Sequence, residues 1–257
     1  MGIFMRPLQF IRKIFPWFVR NYNRLEVRGI NNLPKKGSAI IAANHGGGLD
    51  WDNFCLMSAL ERFKTNNPTR KRIWLLYWDV WSVDHPFWAP WVQQFSPIPV
   101  NLEGKGIRWD IADKVVKKGE LIAIMPEGHS ATIKEGYRLW KFYPGVIRLH
   151  LRYEVPIIPT AIIGCIESAP MWGYDYNPKH IPPWENERIL PIILPRKIII
   201  HFGKPMNFEE YYNKKLDTNK MFELAKIVRK KVRETISIYL RGTSWKKPYG
   251  QKIKASF

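Results

Sequence analysis

Short apolar segments alternate with longer amphipathic ones along this chain, and this alternation constrains the fold more than any other feature of the sequence. The segments SAIIAA at 38–43, LIAIM at 121–125 and PIIPTAIIGCI at 156–166 have the length and composition of buried strands. None approaches the roughly 18 uninterrupted apolar residues that a membrane-spanning helix requires. Helical periodicity at 107–120 and 143–153 separates them. We therefore predict an α/β domain with a mixed, mostly parallel central sheet and helices on both faces.

The distribution of apolar and charged residues divides the chain into three regions. Residues 1–24 are predicted to form an amphipathic, membrane-interface helical segment, because an apolar helical stripe there is flanked by cations. The stripe consists of Phe4, Leu8, Ile11, Phe15 and Phe18. The alternative is a helix docked on the protein's own core. Residues 25–241 form the α/β domain, and residues 242–257 are a basic tail.

The charge balance indicates a polyanionic partner. Lys and Arg number 41 against 22 Asp and Glu, a formal net charge of +19, which admits nucleic acid, an anionic membrane surface or an acidic protein. Twelve tryptophans and thirteen phenylalanines favour the membrane, since aromatic residues collect at lipid–water boundaries. The sequence has no RNA-recognition, zinc-finger or helix-turn-helix pattern, so we expect no nucleic acid as partner. We expect a peripheral protein on the cytoplasmic face of a membrane.

The loop NHGGGLD at residues 44–50 follows the first buried strand and carries the first candidate for chemistry. Three consecutive glycines are costly to order, so they need a structural reason. Residues five apart on a straight helix lie roughly 140° apart around its axis, so only a non-helical loop brings Asp50 against His45. A histidine oriented by a carboxylate is suited to removing a proton from a hydroxyl near neutral pH.

A second strand ends in PEG at residues 126–128. Because sites in open α/β sheets gather at the carboxyl ends of strands, Glu127 and His45 are expected at the same edge. A metal-dependent hydrolase using His45, Asp50 and Asp52, with Asp79 or His85, is the rival enzyme. The histidines lack metal-ligand spacing, so we expect no metal. The composition is also compatible with a basic nucleic-acid-binding protein and with a lipid-binding protein without catalysis.

Four blocks in sequence order resemble the glycerolipid acyltransferases of the 1-acylglycerol-3-phosphate (lysophospholipid) type, which carry an H-x-x-x-x-D motif. The resemblance covers roughly residues 25–205. The blocks are NHGGGLD at 44–50, FSPIPVN at 95–101, PEG at 126–128 and VPIIP at 155–159, and FYPG at 142–145 is similar to a further element of that family.

The resemblance implies transfer of a fatty acyl group from a thioester to a lipid hydroxyl, with 1-acylglycerol-3-phosphate as the expected acceptor. His45 would be the general base and Asp50 its orienting partner. The residues expected to bind substrate are Asn44, Lys105, Glu127, Gly128, His129, Ser130 and Arg138. No cofactor is implied beyond the acyl-CoA or acyl-carrier-protein thioester as co-substrate. The implied partners are membrane lipids and, for the second donor, acyl carrier protein.

Two departures from the family pattern concern the acceptor. Family members that use phosphate-bearing acceptors usually carry E-G-T-R in the third block, and here Ser130 stands where the arginine belongs. Leu102 stands where the second block commonly has an arginine. Serine and leucine do not reproduce a bidentate contact between arginine and phosphate. Either neighbouring cations such as Lys105, Arg108, Lys134, Arg138 or Lys141 supply the charge, or the acceptor is a different lipid, such as a glycolipid.

Overall fold

An eight-stranded sheet forms the centre of the computed structural model. The structure describes residues 16–65, 73–78, 96–101, 106–176, 184–190 and 192–240. The strands are β1 (Glu26–Arg28), β2 (Ala39–Ala43), β3 (Ile73–Trp78), β4 (Pro97–Asn101), β5 (Gly106–Ile107), β6 (Leu121–Ile124), β7 (Ile157–Ile163), β8 (Met171–Tyr176), β9 (Trp184–Ile189) and β10 (Ile199–Phe202).

The sheet is mixed and mostly parallel, as the sequence predicts. Its strand order is β1-β10-β7-β2-β6-β3-β4-β5, and β8 pairs with β9 in a separate antiparallel ribbon. Strands β7, β2, β6, β3 and β4 run parallel to one another. The antiparallel pairs are β10 with β7 and β5 with β4. The parallel strands therefore bring their carboxyl ends, including those of β2 and β6, to one edge.

Helices follow the central strands. They are α1 (Trp51–Thr65), α2 (Trp109–Lys117), α3 (Gly145–Tyr153), the short α4 (Cys165–Ser168) and α5 (Thr218–Leu240). The last helix begins after Asp217, whose Oδ1 accepts a hydrogen bond from the backbone N–H of Lys220 at 2.7 Å, which is the geometry of an N-cap.

Both faces of the sheet are buried, so the prediction of helices on both faces is confirmed. Successive residues of a strand point to opposite faces. Ile40 and Ala42 of β2 pack in one apolar cluster with residues of α2, α3 and α5. Ile41 and Ala43 pack in a second cluster with residues of α1. This burial explains why the strands read as continuous apolar runs instead of alternating ones.

The segment at the start of the described chain is helical at residues 16–22. Val19 is fully buried in the second cluster, and the ring of Phe18 lies 6.1 Å from that of Trp51. Trp17, by contrast, is 63% exposed. This part of the predicted interfacial helix is therefore docked on the core on one side. The rest of the predicted stripe, residues 1–15, and the basic tail at 242–257 lie outside the described residues.

None of the described helices is long and apolar enough to cross a membrane.

Candidate active site

Asn44 fixes the end of β2 against its neighbour β7. Its side-chain Nδ2 donates to the carbonyl oxygen of Ile162 at 2.9 Å, and its Oδ1 accepts from the N–H of Ile162 at 2.7 Å. The side chain is buried, with the residue 4% exposed. The family resemblance implies a substrate-binding role for Asn44, but its amide is occupied by the neighbouring strand. It positions His45 instead.

The glycines after His45 are required by close packing. Gly47 has a φ of 91°, and a Cβ there would lie 2.7 Å from the carbonyl oxygen of Cys165. A Cβ on Gly46 would lie 2.7 Å from Cγ1 of Ile166. Backbone hydrogen bonds further attach this loop to Ala131, whose carbonyl accepts from the Gly47 N–H. The loop is thus wedged between α4 and the segment after β6 and is not a flexible turn.

Asp52, not Asp50, is the carboxylate that orients His45. The Nδ1 atom of His45 lies 2.6 Å from Oδ2 of Asp52. Asp50 is exposed and has a φ of 51°, directly after Leu49 with a φ of 60°. Leu49 and Asp50 both adopt left-handed backbone conformations, which reverse the direction of the chain. As a result Asp52, the second residue of α1, lies against the imidazole of His45. In the structure, the carboxylate in contact with Nδ1 is therefore that of Asp52, two positions after the predicted Asp50.

The Asp52 carboxylate is buried, and both of its oxygens accept hydrogen bonds. Its side chain is 1% exposed, whereas that of His45 is 16% exposed. Oδ2 also accepts from the N–H of Gly46 at 2.9 Å, and Oδ1 accepts from the N–H of Asn53 at 2.8 Å. Because a carboxylate only accepts hydrogen bonds, the proton of neutral His45 lies on Nδ1, which leaves the lone pair of Nε2 to act as base.

Glu127 connects the histidine to a second loop. Its Oε1 accepts from the backbone N–H of His45 at 3.0 Å, and its Oε2 accepts from the N–H of Trp140 at 2.6 Å. The residue is 2% exposed. Burial raises the pKa of Glu127 to about 7, although both N–H donors act to lower it. Gly128 follows with a φ of 58°, and the ring of Tyr143 covers it.

His129 and Ser130 are both engaged within the protein. The Nε2 atom of His129 lies 3.2 Å from Oε2 of Glu135, and its ring centroid is 4.5 Å from that of Trp140. Burial acts to raise the pKa of Glu135, but hydrogen bonds from His129 and Thr132 outweigh it and lower the pKa to about 2. Ser130 Oγ donates to the carbonyl of Gly47 at 2.8 Å, so this side chain braces the glycine loop.

Arg138 is exposed at the start of the loop that Glu127 holds. Arg229 of α5 reaches the same loop: its Nε donates to the carbonyl of Trp140 at 2.7 Å, and its Nη2 donates to the carbonyl of Leu139. The predicted site residue Lys105 lies outside the described residues. Among the residues that are described, no group of three or more His, Cys, Asp or Glu side chains could hold a metal ion.

Three residues of this site were missed by the sequence interpretation: Asp52, Trp140 and Arg229. Asp52 was considered only for the rival metal-dependent hydrolase, because the resemblance favoured the spacing of Asp50 as the partner of His45. Trp140 bonds Glu127, 13 residues before it, and Glu127 in turn bonds the backbone of His45, 82 residues earlier. Nothing in the sequence places Arg229 at this loop, because its bond to the Trp140 carbonyl spans 89 residues.

The sequence profile of the Acyltransferase family matches residues 24–163, which include His45, Asp52 and Glu127. The chain therefore belongs to that family.

Individual relatives are similar to this chain along most of its length. The chain is 29% identical over 250 residues to an uncharacterized protein of Mycobacterium tuberculosis, covering 90% of this chain and 66% of that protein. It is 30% identical over 249 residues to an uncharacterized protein of Mycobacterium leprae, covering 90% and 64%. The chain thus spans about two thirds of the length of these curated relatives.

Among solved structures, the crystal structure of the 1-acyl-sn-glycerophosphate (LPA) acyltransferase from Thermotoga maritima is similar in fold. The TM-score is 0.56 at 15% sequence identity, covering 95% of this chain and 85% of that one.

Proposed function

We propose that this protein is an O-acyltransferase of the glycerolipid type, which transfers a fatty acyl group from a thioester to a hydroxyl of a lysophospholipid or related lipid. The observation that carries the proposal is the contact of 2.6 Å between His45 Nδ1 and Asp52 Oδ2 at the carboxyl end of β2. It supports a general base in the first sequence block of the family to which the chain belongs.

In the proposed reaction, His45 Nε2 takes the proton of the acceptor hydroxyl as that oxygen attacks the thioester carbonyl carbon. A carbon–oxygen bond forms, and the carbon–sulfur bond then breaks as the carbonyl reforms. The imidazolium of His45 gives its proton to the leaving thiolate sulfur. The Asp52 carboxylate stabilises the imidazolium and keeps the ring in its productive orientation.

Glu127 acts through the backbone in this proposal. By accepting from the N–H of His45 and the N–H of Trp140, it holds the base and the loop at 138–144 at a fixed separation. Its role is therefore positioning, and we do not assign it a contact with the reacting atoms.

The donor is proposed to be acyl-CoA or acyl carrier protein, and the acceptor lies in a membrane leaflet. The net charge of +19 and the exposed ring of Trp17 support association with an anionic membrane surface. A peripheral location on the cytoplasmic face is part of the same proposal.

The experiment is acyl transfer by purified protein from radiolabelled acyl-CoA to lysophosphatidate, other lysophospholipids and glycolipids. We expect His45→Ala to abolish turnover and Asp52→Asn to lower kcat by about 10²–10⁴-fold, because the ring loses its oriented tautomer. Asp50→Asn is the comparison variant, because this carboxylate lies two residues from Asp52, whose Oδ2 makes the contact of 2.6 Å with Nδ1.

For each variant, circular dichroism and thermal melting check that the fold persists. Full activity in a folded His45→Ala variant would refute the general-base assignment. A larger loss in Asp50→Asn than in Asp52→Asn would return the orienting role to Asp50. If acyl-CoA gives no product with any acceptor, acyl carrier protein is tested as donor in the same assay.

A further inference from the structure

Three arginines come together where α5 meets the loop at 138–144. Arg229 donates to the carbonyls of Leu139 and Trp140, which directly follow Arg138 in the chain. Arg233 lies one turn further along α5 from Arg229, and residues four apart on a helix have Cβ atoms roughly 5–6 Å apart on the same side. Arg138, Arg229 and Arg233 are called the arginine cluster below.

The charges of the arginine cluster are not neutralised by nearby carboxylates. Over the described ranges, the side chains of Arg138 and Arg233 form no hydrogen bond and no ion pair. Burial and the charges of Arg233 and Arg138 lower the pKa of Arg229, while Glu127 acts to raise it. Glu127 is a poor counter-ion, because it is buried, both its oxygens already accept backbone N–H groups, and its pKa is raised to about 7.

The arginine cluster is tied directly to the proposed catalytic base. Arg229 binds the carbonyl of Trp140, and the N–H of Trp140 donates to the same carboxylate, Glu127, that accepts the N–H of His45. Three hydrogen bonds, through Trp140 and Glu127, thus link the Arg229 guanidinium to the backbone of His45. Arg229 is half-buried and Arg138 is exposed, so an anion can approach from solvent.

Ser130, which stands where the family's third block usually has an arginine, cannot take an anion. Its hydroxyl donates to the carbonyl of Gly47, and the residue is 4% exposed. α5 lies outside residues 24–163, the part that the family profile matches, so Arg229 and Arg233 belong to a region that the profile does not describe.

We propose that the arginine cluster is the anion-binding subsite of this enzyme and that it binds the phosphate of the acceptor lipid in place of the arginine absent at position 130. The inference rests on the proposed acyltransferase function and specifies its acceptor as a phosphate-bearing lysolipid. Guanidinium groups suit this role because they form bidentate, charge-assisted hydrogen bonds with phosphate oxygens. Phosphate occurs on the acyl-CoA donor too, so the test separates the two reactants.

The test uses Arg138→Gln, Arg233→Gln and the double variant, with Lys231→Gln as the matched control. Lys231 is exposed and carries the same charge on the same helix, but it lies two residues, or about 200° around the axis, from both Arg229 and Arg233, and it pairs with Glu234. Arg229 is left intact because it holds the 138–144 loop. Steady-state kinetics are measured with lysophosphatidate and with a monoacylglycerol, which presents hydroxyls without phosphate.

We expect the double variant to lower kcat/KM for lysophosphatidate by at least about 10-fold, because it loses charge-assisted hydrogen bonds to the phosphate. Turnover of monoacylglycerol, the KM for acyl-CoA and all constants of Lys231→Gln should stay unchanged. Glycerol 3-phosphate should inhibit the native protein competitively against lysophosphatidate, and the double variant more weakly.

Three results would overturn the inference. An equal loss with both acceptors would mean that the arginines only support the loop. A raised KM for acyl-CoA alone would assign the subsite to the donor phosphates. Native activity confined to phosphate-free acceptors or glycolipids would remove the need for an anion site.

A binding measurement separates failure of the inference from failure of the proposed function. The fluorescence of the protein's tryptophans is titrated with lysophosphatidate and with monoacylglycerol in mixed micelles, without an acyl donor. Weaker binding of lysophosphatidate by the double variant supports the subsite even if no acceptor is turned over. Equal binding by native protein and double variant contradicts the subsite even if the transferase activity is present.

Discussion

At the residue scale, the Glu127 carboxylate shows how burial and hydrogen bonding compete within one group. Burial disfavours its ionised form, while the N–H groups of His45 and Trp140 favour it. Burial prevails, and the pKa of Glu127 rises from its usual value near 4.5 to about 7. A folded-state pKa above the unfolded value means that this group's contribution to stability is full below pH 4.5 and is lost as the pH rises through 7.

We therefore expect Glu127→Gln to change the pH profile of stability. Relative to the variant, the native protein should lose roughly 3 kcal/mol of unfolding free energy between pH 4.5 and 8. The variant is also less stable than the native protein by an amount that does not depend on pH. The glutamine amide has one acceptor oxygen, whereas the N–H groups of His45 and Trp140 each need an acceptor. Urea unfolding of both proteins at pH 5, 6, 7 and 8 measures the difference. Parallel profiles would show that Glu127 titrates normally.

At the element scale, His150 joins the end of α3 to two other segments. The residue is fully buried. Its Nδ1–H donates to the carbonyl of Val155, just before β7, at 2.7 Å, and its Nε2 accepts from the N–H of Phe208 at 3.0 Å. This is a structural histidine whose neutral tautomer is fixed by one acceptor and one donor. Burial lowers the pKa of His150, and the bond to Val155 only partly opposes it.

Protonation of His150 would place a second N–H against the N–H of Phe208. Because the pKa in the folded state lies below that in the unfolded state, the contribution of His150 to stability is present above about pH 6.5 and is lost as the pH falls. We expect the native protein to lose thermal stability between pH 7.5 and 5 more steeply than His150→Leu, which is destabilised at both values. A variant that keeps the full native slope would assign the acid sensitivity to other groups.

At the scale of the whole molecule, the charge of +19 and the apolar stripe at residues 3–20 predict attachment to an anionic membrane. The docked part of the N-terminal segment sets where a test truncation can be made. Val19 belongs to the core, and Phe18 contacts Trp51, so removal through residue 20 would damage the fold itself.

Deletion of residues 1–14 is therefore the sharper experiment. We expect the truncated protein to float less with anionic liposomes than the full chain, and the attachment of the full chain to weaken with rising salt. An unchanged melting temperature is the control for an intact core. Flotation equal to that of the full chain would refute the membrane-interface assignment for this segment.

The local patterns of the sequence were sufficient for the architecture. Strands β2, β6 and β7 and helices α2 and α3 lie where apolar periodicity predicted them. The apolar run at residues 73–76 has a periodicity compatible with either a helix or a strand, and the structure forms a strand there, β3. Such short apolar runs are ambiguous by periodicity alone, because pairing with β4 and β6 decides between the two.

The sequence by itself determined the alternation of strands and helices, the burial of both sheet faces and the position of His45 and Glu127 at strand ends, because each depends on neighbours within a few residues. Only the tertiary structure decided that Asp52 orients His45, since two left-handed residues redirect the loop between them. It also decided that Arg229 reaches the loop beside Glu127. Contacts between distant segments depend on how the helices and loops pack around the sheet, so they cannot be predicted from neighbouring residues in the sequence.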